Sequence, residues 1–287
     1  MSGKTGIAWT DATWNPVSGC TRVSSGCNNC YAFQLHDQRH VAWKRGRWDA
    51  APAQYHLPFS KVQLLPERLD DPFHWRKPRR VFVNSMSDLC HEQVDGGYIT
   101  RVFEVMRLAK QHTFQVLTKR PERMLDFCRT YYARSPEPLP NVWLGSSVED
   151  QAAANERIPY LLQTPAAVRF LSCEPLLSAV DLWPFFAVAD NWGELSGPRC
   201  DPDGSPAMKW VILGGESGPH ARPMNLDWVR LLIEQCREAG AKPFVKQLGT
   251  VWAREHGAKD HHGGNPDEWP EDLRVREYPS FLEPARP

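Results

Sequence analysis

The stretch GCTRVSSGCNNCYAF, residues 19–33, holds three of the chain's eight cysteines: Cys20, Cys27 and Cys30. Two thiols make a disulfide and four close a tetrahedral zinc site, so three in one glycine-bounded loop raise a third chemistry. The spacing is C-x6-C-x2-C, and a CxxC pair on a turn is a common chelating geometry. Zinc would need a fourth ligand, for which His36 or His40 on the following helix are candidates. A thioredoxin-like redox pair would use only two cysteines, with a helix starting at the first. A cubane iron–sulfur cluster takes one thiolate per iron, so three cysteines hold it and leave one iron open for water, substrate or cofactor. Cys90, Cys128, Cys173, Cys200 and Cys236 are scattered and read as small buried hydrophobes.

Further candidates stand where short apolar runs end. RVFVNSMSD (80–88) closes on Ser85, Ser87 and Asp88, and TFQVLTKR (113–120) on Thr118, Lys119 and Arg120. NVWLGSSVED (141–150) carries Ser146, Ser147 and Glu149, and VRFLSCEPL (168–176) carries Ser172 and Glu174. KWVILGGESG (209–218) ends on Glu216 and Ser217, and KPFVKQLG (242–249) on Lys246 and Gln247. The cations suit anionic groups such as a carboxylate or phosphate, and Arg222 is a further phosphate candidate. Glu174, Glu216 and Lys246 are candidates to orient substrate or exchange protons. No Ser/His/Asp order, HExxH or Walker loop is present, so hydrolase and nucleoside-triphosphatase readings have no motif behind them.

The elements that must position these groups follow from the pattern. The cores VFV, FQVL, VWL, VRFL and WVIL are apolar on successive residues, as in strands buried on both faces of a parallel sheet. Helical patterns lie between them, over 97–110, from Pro121 through PERMLDFCRTYYAR, over 150–163, and over 226–239 up to Gly240. With ATWNPVSGC as a first strand, about seven strands emerge. The expected fold is α/β: a complete or partial (β/α) barrel of mostly parallel strands, with an open doubly wound sheet as second choice. In either, the C-terminal strand edge is where sites are built. Inserted loops are expected at 44–78, with a short helix at LPERLDD, and at 178–208. The expected organisation is a barrel-like domain over 1–252 and an irregular tail over 253–287 packed on it.

At 287 residues the chain suits a single barrel of this kind. Lys+Arg and Asp+Glu each number 34, so a neutral chain argues against non-specific, phosphate-dominated nucleic-acid binding. A local basic groove stays open. The N-terminus MSGKTGIAWTDATWN lacks a signal core, and no run approaches the roughly 18 apolar residues of a membrane span. A cytoplasmic location is expected, where eight cysteines do not form a disulfide framework.

Three clustered cysteines after the first strand of such a fold resemble a radical S-adenosylmethionine (SAM) enzyme. More closely, WTDATWNPVSGCTRVSSGCNNCYA, VFVNSMSDLCHE, TFQVLTKRPERM, NVWLGSSVEDQ, RFLSCEPLL, WVILGGESGPHARPM and PFVKQLG resemble the three-Cys-motif phage protein family, over residues 9 to 249. The resemblance implies a [4Fe–4S] cluster on Cys20, Cys27 and Cys30 with SAM at the open iron. It further implies reductive cleavage of SAM to a 5′-deoxyadenosyl radical, acting on a small-molecule or nucleotide substrate or a DNA base. An electron donor is implied, with nucleic acid presented through a partner.

Under that resemblance Asp88, with Ser85 or Ser87, is the candidate for the SAM ammonium, and Lys119 and Arg120 for its carboxylate or a substrate phosphate. Ser147 and Glu149 are candidates for ribose hydroxyls. Two departures stand out. The usual radical-SAM spacing is C-x3-C-x2-C, whereas the first gap here is six, with Gly19 and Gly26 permitting a bulge. GGE, which in that family follows the second strand, here is Gly214–Gly215–Glu216 after a late one. An iron–sulfur binding or sensor protein without radical chemistry, and a zinc-stabilised barrel hydrolase, are the competing readings.

Overall fold

The structure, a computed structural model, describes residues 5–134, 137–189 and 195–279. Two compact units divide it, Met1–Trp143 and Leu144–Pro287.

In the first unit Ala12–Trp14 (β1), Arg80–Val83 (β2) and Thr113–Thr118 (β3) run parallel, with Trp14 opposite Val83 and Val83 opposite Val116. Ala12, Trp14, Val81, Val83, Phe114 and Val116 are all buried, which is why these runs are apolar without alternation. The helices are Tyr31–Lys44 (α1), Gly96–Leu108 (α2) and Pro121–Tyr131 (α3). Asp95 caps α2 by accepting the Tyr98 N–H at 2.9 Å, and Ile99, Val102, Phe103 and Met106 form its buried stripe. Pro121 opens α3, where its missing N–H costs nothing.

ATWNPVSGC does not form one strand. It breaks at Asn15–Pro16, because proline cannot donate to the ladder, and Val17–Ser18 pairs antiparallel with Gln63–Leu64 of the insert instead. The expected helix at LPERLDD is a short 3-10 turn, Pro66–Arg68, followed by another at Asp71–His74.

Val142–Ser147 (β4) begins at the end of the first unit. In the second unit Val168–Cys173 (β5), Trp210–Gly214 (β6) and Lys242–Gln247 (β7) follow, β6 lying parallel to both neighbours. The helices are Gln151–Gln163 (α4), Leu226–Glu238 (α5) and Thr250–Glu255 (α6), the first two capped by Asp150 and Asn225 side chains. Phe170, Trp210 and Phe244 pack in succession, the first pair tilted and the second edge to face. The 178–208 stretch holds a four-residue helix, Trp183–Phe186, and an antiparallel pair, Ala187–Ala189 with Leu195–Pro198; its residues 190–194 lie outside the described residues. In the C-terminal stretch the Val245 N–H donates to the Val275 carbonyl and the Trp210 indole to that of Glu277; residues 280–287 lie outside the described residues.

The fold is α/β with seven parallel strands hydrogen-bonded in chain order, β1 to β7, without reversal. A doubly wound sheet would reverse its order partway. Sequential order is the winding of a partial (β/α) barrel. Among the described residues no helix is long and apolar enough to cross a membrane.

Candidate functional site

The cysteine loop is pinned from both sides. The Gly19 N–H donates to the Met86 carbonyl at 3.1 Å and the Cys20 N–H to the Phe59 carbonyl at 2.9 Å. Gly19 has a φ of 96°, and a Cβ there would stand 2.3 Å from the Lys61 carbonyl oxygen, so glycine alone fits. Ser25–Cys27 forms one 3-10 turn, the Cys30 N–H bonds the Cys27 carbonyl, and α1 starts immediately after at Tyr31. The Tyr31 hydroxyl donates to the Ser85 carbonyl at 2.6 Å, tying the helix start to the loop after β2. Cys20, Cys30 and Met86 pack against one apolar cluster of Ala32, Phe33 and Phe59, while Cys27 is itself buried.

Asp88 sits beside this loop, and its carboxylate is fully engaged. One oxygen accepts the Cys90 N–H at 2.9 Å and the Thr118 hydroxyl at 2.7 Å. The other accepts the Lys119 N–H at 3.2 Å and the Arg120 guanidinium at 3.1 Å. Arg120 also reaches Glu92 at 3.0 Å, the Thr21 hydroxyl at 2.8 Å and the Cys20 sulfur at 3.8 Å. Burial, with Asp88 adding to it, pushes the Cys20 thiol up to about 12, and Arg120 opposes that rise. His91, also buried, bonds the Thr21 hydroxyl at 2.9 Å, and burial followed by the charge of Arg120 holds its pKa below the usual imidazole range.

Ser85 and Ser87 serve the backbone here. The Ser85 hydroxyl donates to the Asn15 side-chain oxygen at 3.2 Å, which also accepts the Met86 N–H at 2.8 Å, and Ser87 donates to the Val17 carbonyl at 2.8 Å. Of the candidates in the first unit, Cys20, Asp88, Arg120 and the Lys119 backbone are joined in one hydrogen-bonded network.

In the second unit three ion pairs stand after the strand ends. Glu149 pairs with Arg157 of α4, which also donates to the Ser147 carbonyl at 2.9 Å. Lys246 bonds the Glu174 carboxylate, and a Cβ on Gly214 would meet that carboxyl carbon at 3.3 Å. Glu216 accepts three bonds from Arg222: its backbone N–H at 2.8 Å, Nε at 2.9 Å and Nη2 at 2.6 Å. Hydrogen bonding to Glu216 raises the Arg222 pKa further. A Cβ on Gly215 would stand 2.4 Å from the Leu248 carbonyl oxygen, so the second glycine of GGE admits neighbouring backbone.

Asn15, Glu92 and Arg157 were not among the sequence candidates. WNP, an Asn before Pro at a strand end, is the one local signal that could have marked Asn15.

No thiol of the loop is in a disulfide, two of the three share one apolar wall, and soft thiolates in such surroundings suit iron–sulfur ligation. Among the described residues no three His, Cys, Asp or Glu side chains converge as a single-ion site requires. In a cubane each thiolate meets its own iron, so the thiols need not converge on one point. His36 and His40 each bond a backbone carbonyl through one ring nitrogen, Leu57 at 3.0 Å and Tyr55 at 2.9 Å, and neither joins the thiols in such a convergence. The residues present fit a cluster.

Sequential parallel winding with polar groups gathered after the strand ends defines an α/β protein of the (β/α) barrel type. Residues 4–271 match the family described as protein of unknown function (DUF5131), and the chain belongs to that family. No curated protein matches it. Among solved structures, spore photoproduct lyase complexed with dinucleoside spore photoproduct is similar at 9% sequence identity and a TM-score of 0.39, over 83% of this chain and 64% of that one. The chain therefore spans less than two thirds of that structure's length.

Proposed function

We propose that this protein is a radical-SAM-type iron–sulfur enzyme, with Cys20, Cys27 and Cys30 holding a [4Fe–4S] cluster and a nucleotide or DNA base as the substrate class. The observation that carries the reading is the loop itself. Three thiols free of disulfides follow the first strand of a sequentially wound parallel sheet, two of them against one apolar wall of Ala32, Phe33 and Phe59. When bound, such a cluster supplies one electron through the iron that lacks a cysteine, for reductive cleavage of SAM.

The chain's own residues prepare that chemistry. The apolar wall shields one side of the Cys20 and Cys30 thiols, and burial raises the Cys20 thiol in the metal-free chain. The Gly19 N–H ties the first ligand to the loop after β2 and the Cys20 N–H ties it to Phe59 of the insert, while the Tyr31–Ser85 bond holds the third. Lys119 remains the candidate for the SAM carboxylate in this unit, because Asp88 already holds Arg120. In the second unit Glu174–Lys246 and Glu216–Arg222 offer paired acid and base groups for a polar substrate.

The test is anaerobic reconstitution with iron and sulfide, reduction with dithionite, and chromatography of the products formed from SAM. Accumulation of 5′-deoxyadenosine and methionine, lost in Cys20→Ala, Cys27→Ala and Cys30→Ala, is the expected result. A loaded cluster that never cleaves SAM would turn the reading to binding or sensing. Protein that takes up zinc and no iron would overturn it.

A further inference from the structure

The placement of Arg120 is not that of a residue waiting for an anion. A guanidinium carries five N–H donors, and here Nε meets Glu92, Nη1 meets Asp88 and Cys20, and Nη2 meets the Thr21 hydroxyl and carbonyl. Its side chain is 12% exposed and that of Asp88 is 8%. Asp88 is fixed in turn by the Cys90 N–H, the Thr118 hydroxyl and the Lys119 N–H, so the pair has little freedom to swing toward a ligand. The softest acceptor in the set is the sulfur of Cys20, 3.8 Å from Nη1, whose own S–H donates to the Thr21 carbonyl at 3.4 Å in the metal-free chain.

We propose that Arg120 is a redox-tuning positioning residue: held by Asp88, it donates an N–H to the Cys20 sulfur and raises the reduction potential of the cluster bound there. The inference rests on the cluster reading above and adds to it a residue that sets when the cluster accepts its electron. Reduction adds one negative charge to the cluster, and hydrogen bonds to its sulfurs are among the factors that set its potential. A buried cation at that distance favours the reduced form because the surrounding dielectric screens it poorly. Asp88 offsets much of the charge of Arg120, so the directed N–H carries the effect. The same carboxylate, left without Arg120, would oppose reduction.

The experiment reconstitutes the full chain anaerobically, quantifies iron and sulfide, and titrates the cluster with dithionite while following its visible absorbance and EPR signal. Wild type is compared with Arg120→Met, Arg120→Lys and the double variant Asp88→Asn/Arg120→Met, which leaves no buried carboxylate unpaired, Glu92 being exposed, and guards against misfolding of the single one. The midpoint potential is expected to fall in Arg120→Met, to stay below wild type in the double variant, and to lie between in Arg120→Lys. Equal potentials in fully loaded variants would overturn the inference while leaving the cluster reading standing. Absence of any cluster in wild type would overturn both.

Discussion

Arg157, on the second turn of α4, turns back to Glu149 and sets Nη1 2.9 Å from its carboxylate, with the two side chains only 3% and 1% exposed. A carboxylate read from sequence as a ribose acceptor is thus also the buried counter-ion of its own helix. Removing one partner leaves a charge without compensation in a low-dielectric interior. Arg157→Met should lower unfolding free energy by about 3–5 kcal/mol in urea denaturation. Glu149→Gln/Arg157→Met should recover much of that loss. A single variant within error of wild type would mean that water reaches the pair.

Gly19 tests how far the cysteine loop depends on one backbone conformation. Its φ of 96° and the 2.3 Å approach to Lys61 leave no room for a side chain. Gly19→Ala should cost about 1–3 kcal/mol and reduce iron incorporation, because Cys20 must shift with its neighbour. Unchanged thermal stability and iron content would show that the loop relaxes freely.

Alkaline pH should destabilise the metal-free protein. Burial raises the thiols of Cys20 and Cys128 and the phenol of Tyr132 to about 12, and raises Cys90 and Cys236 well above the ordinary thiol value. The folded chain then keeps protons that the unfolded chain releases above its thiol pKa of about 8.5. Stability from these groups is complete below that pH and declines as pH rises toward the folded values. Melting temperatures in reductant should drop between pH 8 and 10.5; a flat or rising profile would contradict the burial account.

Alkylation mapping reads the ligand set directly. Cys200 is exposed, while Cys90, Cys128, Cys173 and Cys236 are buried. Iodoacetamide on the folded apo protein should label Cys200 first and leave those four thiols and the buried Cys27 until unfolding. After reconstitution, Cys20, Cys27 and Cys30 should be protected together with Cys200 still open. Protection of only two of them would remove the third from the ligand set.

The parallel strands were legible because burial on both faces writes itself as continuous apolar runs, as VFV, FQVL and WVIL do. The first strand was not, because ATWNPVSGC reads through Pro16, whose missing N–H hands Val17–Ser18 to a partner 46 residues on. The polar groups after the strands were legible as a set, though their neutralising partners were not. Asp88 meets Arg120 at a sequence separation of 32 and Glu174 meets Lys246 at 72, and composition carries no trace of such pairings. Arg157 was hidden for a simpler reason: a charge on a helix reads as solvated until the packing buries it.

The most direct measurement is low-temperature EPR of the reconstituted, dithionite-reduced protein with and without SAM. The account expects a reduced cubane signal that changes shape on adding SAM, because the iron without a cysteine takes it as ligand. A cubane signal indifferent to SAM, or no cubane signal at all, would contradict it.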